Sequence, residues 1–218
     1  YGKGDAESEK EPAIQPGFRK KRSKRIRLIR VIPSGEEKNV RSASRLFQAE
    51  SRDILDFGSA IHELFSNVEW SDGLDVEKVI SGWIPVSSAS GIVKKDVIIQ
   101  FRNAMNSGEV KALLAKPAGN AEVWIEKKFE VVMDRKWITG TFDRVTVLSD
   151  AAGKPVSAVI LDYKSDRISD KTQAARAVEK YRPQLDLYSQ ALSRILNLPP
   201  AKISSKILFT RPGIAVDI

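Results

Sequence analysis

The chain has 218 residues, which suits one large domain or one domain with an extension, and its 42% apolar content is enough to bury a core. It contains no cysteine, which excludes disulfides, thiolate metal sites and cysteine-ligated iron–sulfur clusters and fits a reducing, intracellular setting. Its formal net charge of +8 favours a polyanionic partner, although many basic proteins bind no nucleic acid.

The first 17 residues, "YGKGDAESEKEPAIQPG", are polar and charged and read as a tail or linker without a signal-peptide core. An initial Tyr in place of Met suggests a fragment of a longer chain, and the same holds for a truncation after the final "VDI". Residues 18–30, "FRKKRSKRIRLIR", are dense in Lys and Arg. Two readings stand side by side: a solvated tail or localisation signal, and an arm that contacts phosphate. The alternation in "RIRLIRVI" predicts a half-buried strand over 25–32, closed by the turn "PSGEEKN". This divides the chain into a basic tail, 1–40, and a domain, 41–218.

The spacing of Ile54, Leu55, Ile61, Leu64, Phe65 and Val68 predicts a helix over 51–70, with Ser51 and Asp53 at its start. Further helices are expected up to residue 116, one with Val76, Val79 and Ile80 on its apolar face and two within 96–115. The break "PAGN" at 117–120 ends this helical part, which covers about 45–116. Val, Ile, Trp, Phe and Thr then dominate. Strands are predicted at 122–133, 136–141 and 142–148, the last two open to being one bent strand, with "MDRK" as a hairpin turn. After the turn at 149–155, "VSAVILDYKS" is apolar enough for a central buried strand. Residues 172–198 read as helical with a break near Pro183, which places a second helix at 183–197. "KISSKILFT" is a strand, and "RPG" turns the chain toward a short last one. The order predicts an α/β domain with a central mixed sheet flanked by helices, its α/β core over 120–218.

Chemistry concentrates in "GTFDRVTVLSDAAGKPVSAVILDYKSD", residues 140–166. Side chains alternate along a strand, so Asp162 and Lys164 share one face while Leu161 and Tyr163 face a core on the other. If the strand bearing Asp143 pairs with this one through the 149–155 turn, the two aspartates converge. Two close carboxylates repel, and desolvation makes that worse. A hard divalent cation, Mg²⁺ or Mn²⁺, relieves both costs. Lys164 beside it could orient an attacking water or neutralise charge on a phosphoryl group. Taken singly, each residue also has a plain reading: a turn aspartate, or a same-face ion pair of small value.

"GTFDR…VILDYKSD…YRPQLDLYSQAL" resembles the RecB-family nuclease domain of the PD-(D/E)xK superfamily, found at the C-terminus of UvrD/RecB/AddA-type helicases and also alone. The G-x-x-D-R pattern falls on Gly140, Asp143 and Arg144. The D-Y-K-[ST] block falls on Asp162, Tyr163, Lys164 and Ser165. The Q-x-x-x-Y motif falls on Gln184 and Tyr188, preceded by Tyr181. An upstream helical histidine matches His62 in "FGSAIHELF", and a strand acid matches Glu126 in "IEKKFEV". The likeness runs from about residue 57 to the end.

This resemblance implies a restriction-endonuclease-like fold and a metal-dependent DNA nuclease acting in repair or recombination. It implies Asp143, Asp162 and Lys164 as catalytic residues, and His62, Asp143, Asp162 and the Tyr163 carbonyl as ligands of Mg²⁺ or Mn²⁺. Glu126 is an accessory, acting through water or by positioning His62. Gln184, Tyr188, Tyr181 and Arg144 would contact DNA, single-stranded for preference if a helicase feeds it. The plain alternatives are a structural His62, an exposed strand residue at Glu126 and a core-packed Tyr188. The branch with an iron–sulfur cluster is excluded by the absence of Cys. The chain has no P-loop motif, so a helicase motor would lie elsewhere in a longer chain or in a partner subunit. No apolar run is long enough to span a membrane. Rival readings are a nuclease-fold module that binds DNA or a partner without catalysis, and an enzyme acting on RNA.

Overall fold

Apolar side chains on both faces of a strand demand a cover on both faces, and the chain supplies one from each side of the sheet. A computed structural model describes residues 28–33 and 49–218, with side chains in the first helix given from residue 56 onward. The tail, most of the basic run and the turn at 34–39 lie outside these residues, as do the side chains of the helix start expected at Ser51 and Asp53.

In chain order the described elements are β1 (Ile29–Val31), α1 (Ala49–Phe65), α2 (Val76–Trp83), α3 (Gly91–Asn106), α4 (Gly108–Leu114) and β2 (Asn120–Met133). There follow β3 (Lys136–Ser149), β4 (Pro155–Lys164), α5 (Lys171–Leu196), a 3-10 turn (Pro200–Lys202), β5 (Ile203–Phe209) and β6 (Ile214–Asp217). The strands form one mixed sheet in the order β1-β3-β4-β5-β6, with β2 along the other side of β3. Hairpin turns make β2–β3, β3–β4 and β5–β6 antiparallel, whereas β4 and β5 are parallel because α5 carries the chain back between them. The result is a helix–sheet–helix sandwich of the restriction-endonuclease-like α/β kind.

Alternation in β4 sets the two layers. Leu161 and Tyr163 pack with Leu208 under α1–α4, while Ala158 and Ile160 pack with Ile207 and Phe209 under α5. Asp162 and Lys164 continue the α5 side. The sheet opens where function is expected. One edge of β3 pairs with β1 over 136–138 and with β4 over 144–149. Residues 139–143 between these stretches have no ladder partner on that edge among the described residues, and Asp143 lies there.

Three local expectations are corrected. Residues 136–149 form one strand, not two. The first helix ends at Phe65 rather than residue 70, because Ser66 Oγ and Asn67 Nδ2 each donate to the Glu63 carbonyl at 2.7 Å and so compete with the backbone there. Pro183 does not break the C-terminal helix, and α5 runs through it. Pro183 and Glu179 are exposed, so the carbonyl that loses its bond can face water, while Val178, Tyr181, Leu185 and Tyr188 pack the buried face on both sides.

Gly140 lies opposite Phe129 in the β2–β3 register. A Cβ at 140 would stand 2.8 and 2.9 Å from the Phe129 ring and 3.2 Å from the Tyr188 ring. Phe129 cannot swing away cheaply, because it stacks on Phe142 at 4.2 Å. Gly140→Ala is expected to destabilise the fold by ~1–3 kcal/mol through overpacking. Urea unfolding checks it, and Phe129→Leu in the same chain should recover part of the loss.

Candidate active site

Three strands and two helices deliver the site. His62 comes from the last turn of α1, Asp143 from the open part of β3, and Glu126 from the β2 position facing Asp143. One donor atom from each of the three lies within 4.8 Å of the others. His62 Nδ1 is 3.6 Å from Asp143 Oδ2, which also accepts the Tyr163 backbone N–H at 2.8 Å. The Tyr163 ring stands edge-on to His62 at 5.6 Å and stacks on Phe65 at 4.9 Å, so α1 and β4 hold the imidazole from two directions.

Local backbone geometry makes this meeting possible. Trp124 and Phe129 both pack on the α5 side although an odd number of residues separates their positions, and so do Phe142 and Val145. Alternation therefore slips in β2 and in β3 at the same level. In β2 the slip falls at Glu126, whose φ of +48° is left-handed and costs about 1–3 kcal/mol in a non-glycine residue.

Charge at the site is under strain too. Burial, and then repulsion from Asp162, push the Asp143 carboxyl up to about 7; His62, the Tyr163 N–H and Lys164 pull it back. Partial burial pushes Glu126 up as well, with His62 opposing and Asp162 adding to it. A cation among these groups would offset that cost. Carboxylate oxygens with one imidazole fit a hard or borderline divalent ion.

Asp162 stands outside the 4.8 Å group and is 2% exposed. Its Oδ2 lies 3.0 Å from Lys164 Nζ, an ion pair whose angles do not make it a hydrogen bond. Lys164 donates to Gln184 Oε1 at 3.2 Å and sits 4.5 Å above the Tyr181 ring. The Tyr181 hydroxyl donates to Asp166 Oδ2 at 2.6 Å and accepts from Lys180 Nζ at 2.9 Å. Gln184 also hydrogen-bonds Tyr188, whose buried phenol is pushed up to about 12 by desolvation. The tyrosine packs edge-on to Phe129 and Phe142. The structure thus gathers Gln184, Tyr181 and Tyr188 behind Lys164.

Arg144 is the residue placed differently. The sequence points it at a carboxylate or a phosphate, but it is 1% exposed. Its guanidinium donates to the carbonyls of Val68 at 2.7 Å and Glu69 at 2.5 Å, stacks 5.2 Å from Trp70 and bonds the Tyr163 hydroxyl. It ties β3 to the chain leaving α1 and offers no face to a ligand. Residues that sequence reasoning missed lie beyond the strand ends. Thr210 N–H donates to the Lys164 carbonyl at 2.9 Å, and Arg211 Nε to the Ser165 carbonyl at 3.1 Å. The parallel β4–β5 register, with Lys164 beside Phe209, brings them there. The only sequence signal for it is their position directly after the last long strand.

A mixed sheet opened at its centre, with acids and a lysine at the opening, defines a nuclease-type α/β domain. The profile of the PD-(D/E)XK nuclease superfamily matches residues 37–214, and the chain belongs to that superfamily. An ATP-dependent helicase/nuclease subunit from Oenococcus oeni is 29% identical over 167 residues, 72% of this chain and 13% of that protein. The protein of the same name from Streptococcus mutans is 23% identical over 153 residues, 67% of this chain and 12% of that protein. The chain therefore spans about one eighth of the length of these curated relatives. Among the described residues, no helix is long and apolar enough to cross a membrane.

The raised Asp143 carboxyl carries a sign. Between its ordinary value of 3.8 and about 7, the folded protein holds a proton that the unfolded chain has released. Stability in EDTA is therefore expected to fall as pH rises through that window. Thermal unfolding across pH checks this: Asp143→Asn should flatten the fall, and a divalent ion should stabilise most on the alkaline side, where the carboxylate is free. For Arg144, alanine should cost about 3 kcal/mol in urea unfolding by orphaning two buried carbonyls. The salt dependence of DNA binding should not change, which separates this role from a phosphate contact.

Proposed function

We propose that this chain is a metal-dependent DNA nuclease that hydrolyses phosphodiester bonds. The observation that carries the reading is the meeting of His62, Glu126 and Asp143 beside the Asp162–Lys164 pair, at the place where β3 and β4 part. His62, Asp143 and Glu126 would hold Mg²⁺ or Mn²⁺, with Asp162 and the Tyr163 carbonyl as further donors. The imidazole makes Mn²⁺ at least as suitable as Mg²⁺. When bound, the ion supplies positive charge that polarises a phosphoryl oxygen and acidifies water.

Lys164 does the rest of the electrostatic work. Asp162, Gln184 and the Tyr181 face hold its ammonium in one place, where it orients the attacking water toward phosphorus and neutralises charge that develops on the phosphoryl oxygens. Asp162 has a second task, since its charge keeps Asp143 and Glu126 short of an ionised state until a cation arrives. Gln184, Tyr181 and Tyr188 act on the strand chiefly through Lys164. The net charge of +8 and the kinship with helicase/nuclease subunits support DNA as the polymer, single-stranded for preference. They also support an intracellular role in repair or recombination beside a helicase motor in the same longer chain or in a partner subunit.

Labelled single- and double-stranded DNA incubated with Mg²⁺, Mn²⁺ or EDTA tests the proposal. Cutting should require the metal. Asp162→Ala and Lys164→Ala should each lower its rate by about 10²–10³ or more with unchanged circular dichroism. Cutting that survives in Asp162→Ala would overturn the site. DNA binding without cutting, by a folded wild-type chain, would replace this reading with that of a non-catalytic binding module.

A further inference from the structure

The cleft at the site, about 800 Å³, is larger than one phosphate needs and carries two kinds of charge. His62 and Glu126 line one part of it; Arg167, Lys180 and Arg211 line another. The two parts are separated along α1. Arg211 stands over Phe57 at 4.2 Å, and Phe57 precedes His62 by five residues, or about 7.5 Å of helix axis. That is too far for Arg211 to touch a phosphate held at Asp143 and Lys164.

We propose that Arg211, flanked by Arg167 and Lys180, anchors a second, non-scissile phosphate of the strand that lies in the cleft. This rests on the nuclease reading above and adds a contact to it.

Three observations carry it. First, the guanidinium is held ready. Nε donates to the Ser165 carbonyl at 3.1 Å, the Phe57 ring supports the flat face, and Thr210 alongside is bonded to the Lys164 carbonyl. The anchor is thus tied to the backbone of the strand that carries Lys164, and its distance from the reacting centre is fixed. Gly58 helps, since it lets α1 pass close over Ser165: a Cβ there would sit 3.4 Å from Ser165 Oγ. Second, the local charge is uncompensated by any tight partner. Asp96, the acid paired with Arg211, is 3.8 Å away with its side chain 49% exposed, a weak surface pair. Burial first, and Arg167 in addition, disfavour the charged form of Arg211, whereas Asp96 favours it. An anion in the cleft would reverse that cost. Third, a planar fork suits the two oxygens of a phosphate better than an ammonium does. The cleft would then read two phosphates of one strand at a set separation, one cut and one held.

Anisotropy of a short labelled single strand, titrated with the wild-type chain in EDTA at several salt concentrations, tests it without needing cleavage. Arg211→Ala should weaken binding about tenfold. It should also lower the slope of log K against log salt by about 0.7, the value of one phosphate contact on a single strand. Arg211→Lys should keep the slope and recover only part of the affinity. A neutral methylphosphonate is then walked through the same oligonucleotide. At one linkage it should weaken wild-type binding about tenfold and Arg211→Ala binding not at all beyond its own loss. Parental affinity and slope in Arg211→Ala, or penalties that add at every linkage, would overturn the anchor. Should the alanine variant fail to fold, the lysine variant and the methylphosphonate walk decide by the same criterion. Loss of this coupling in a chain that cuts DNA removes the anchor and leaves the nuclease. Coupling in a chain that never cuts removes the nuclease and leaves the anchor.

Discussion

Repulsion between Asp143 and Asp162 is the constraint around which the rest is arranged. Each sits on a strand whose other residues need burial, so neither carboxylate can escape to water without moving the sheet. Asp162 has Lys164 at 3.0 Å, and Asp143 has the Tyr163 N–H and His62. These partners do not cancel the cost, because the Asp143 carboxyl is still pushed up to about 7. The fold therefore carries an electrostatic debt that a divalent cation can settle. The two strands also stop pairing at Arg144 and Leu161, which gives such an ion and a substrate room to enter.

Holding like charges together requires a rigid surround, and the surround is built from pieces that look unrelated in sequence. Arg144 follows Asp143 directly and clamps the carbonyls of Val68 and Glu69, just past the helix that carries His62. Tyr163 lies between Asp162 and Lys164; its amide holds Asp143 and its ring braces His62. On the opposite face, Gln184 joins Lys164 to Tyr188, and Tyr188 is wedged against Phe129 and Phe142. Each reacting side chain thus has a neighbour in sequence whose work is to connect it to another element. A site held from three layers keeps its geometry better than one carried on a loop.

Legibility in the sequence followed the regularity of the backbone. The period of two in β4 placed Asp162 and Lys164 on one face and Leu161 and Tyr163 on the other, and helical spacing located α2 and the buried face of α1. Where periodicity slips, the sequence is silent. Nothing in "IEKKFEV" announces that Glu126 takes a left-handed φ, so its approach to His62 and Asp143 is only one of two readings the sequence allows. Arg144 reads as a surface cation because arginines usually are; only the third dimension shows the two carbonyls that draw it inward. Pro183 misled for a related reason: a local rule about proline lost to packing on both sides of it, at a position where the broken bond faces water. Arg211 was invisible because its neighbours are 46 residues back along the chain.

The distribution of charge gives the cleft a direction. Acids gather where β2, β3 and α1 meet, and bases gather where β4 leaves the sheet beside the β5–β6 turn. Lys164 stands between them, bonded toward the acids by Asp162 and toward α5 by Gln184. A polyanion entering such a gradient is drawn first to the basic part and repelled by the acidic part until a divalent ion neutralises it. Substrate and cation are therefore coupled through Asp143, Glu126 and Asp162 without any moving part. The strand can be gripped in the absence of metal, but the reacting phosphate settles among the acids only when the metal is there to receive it.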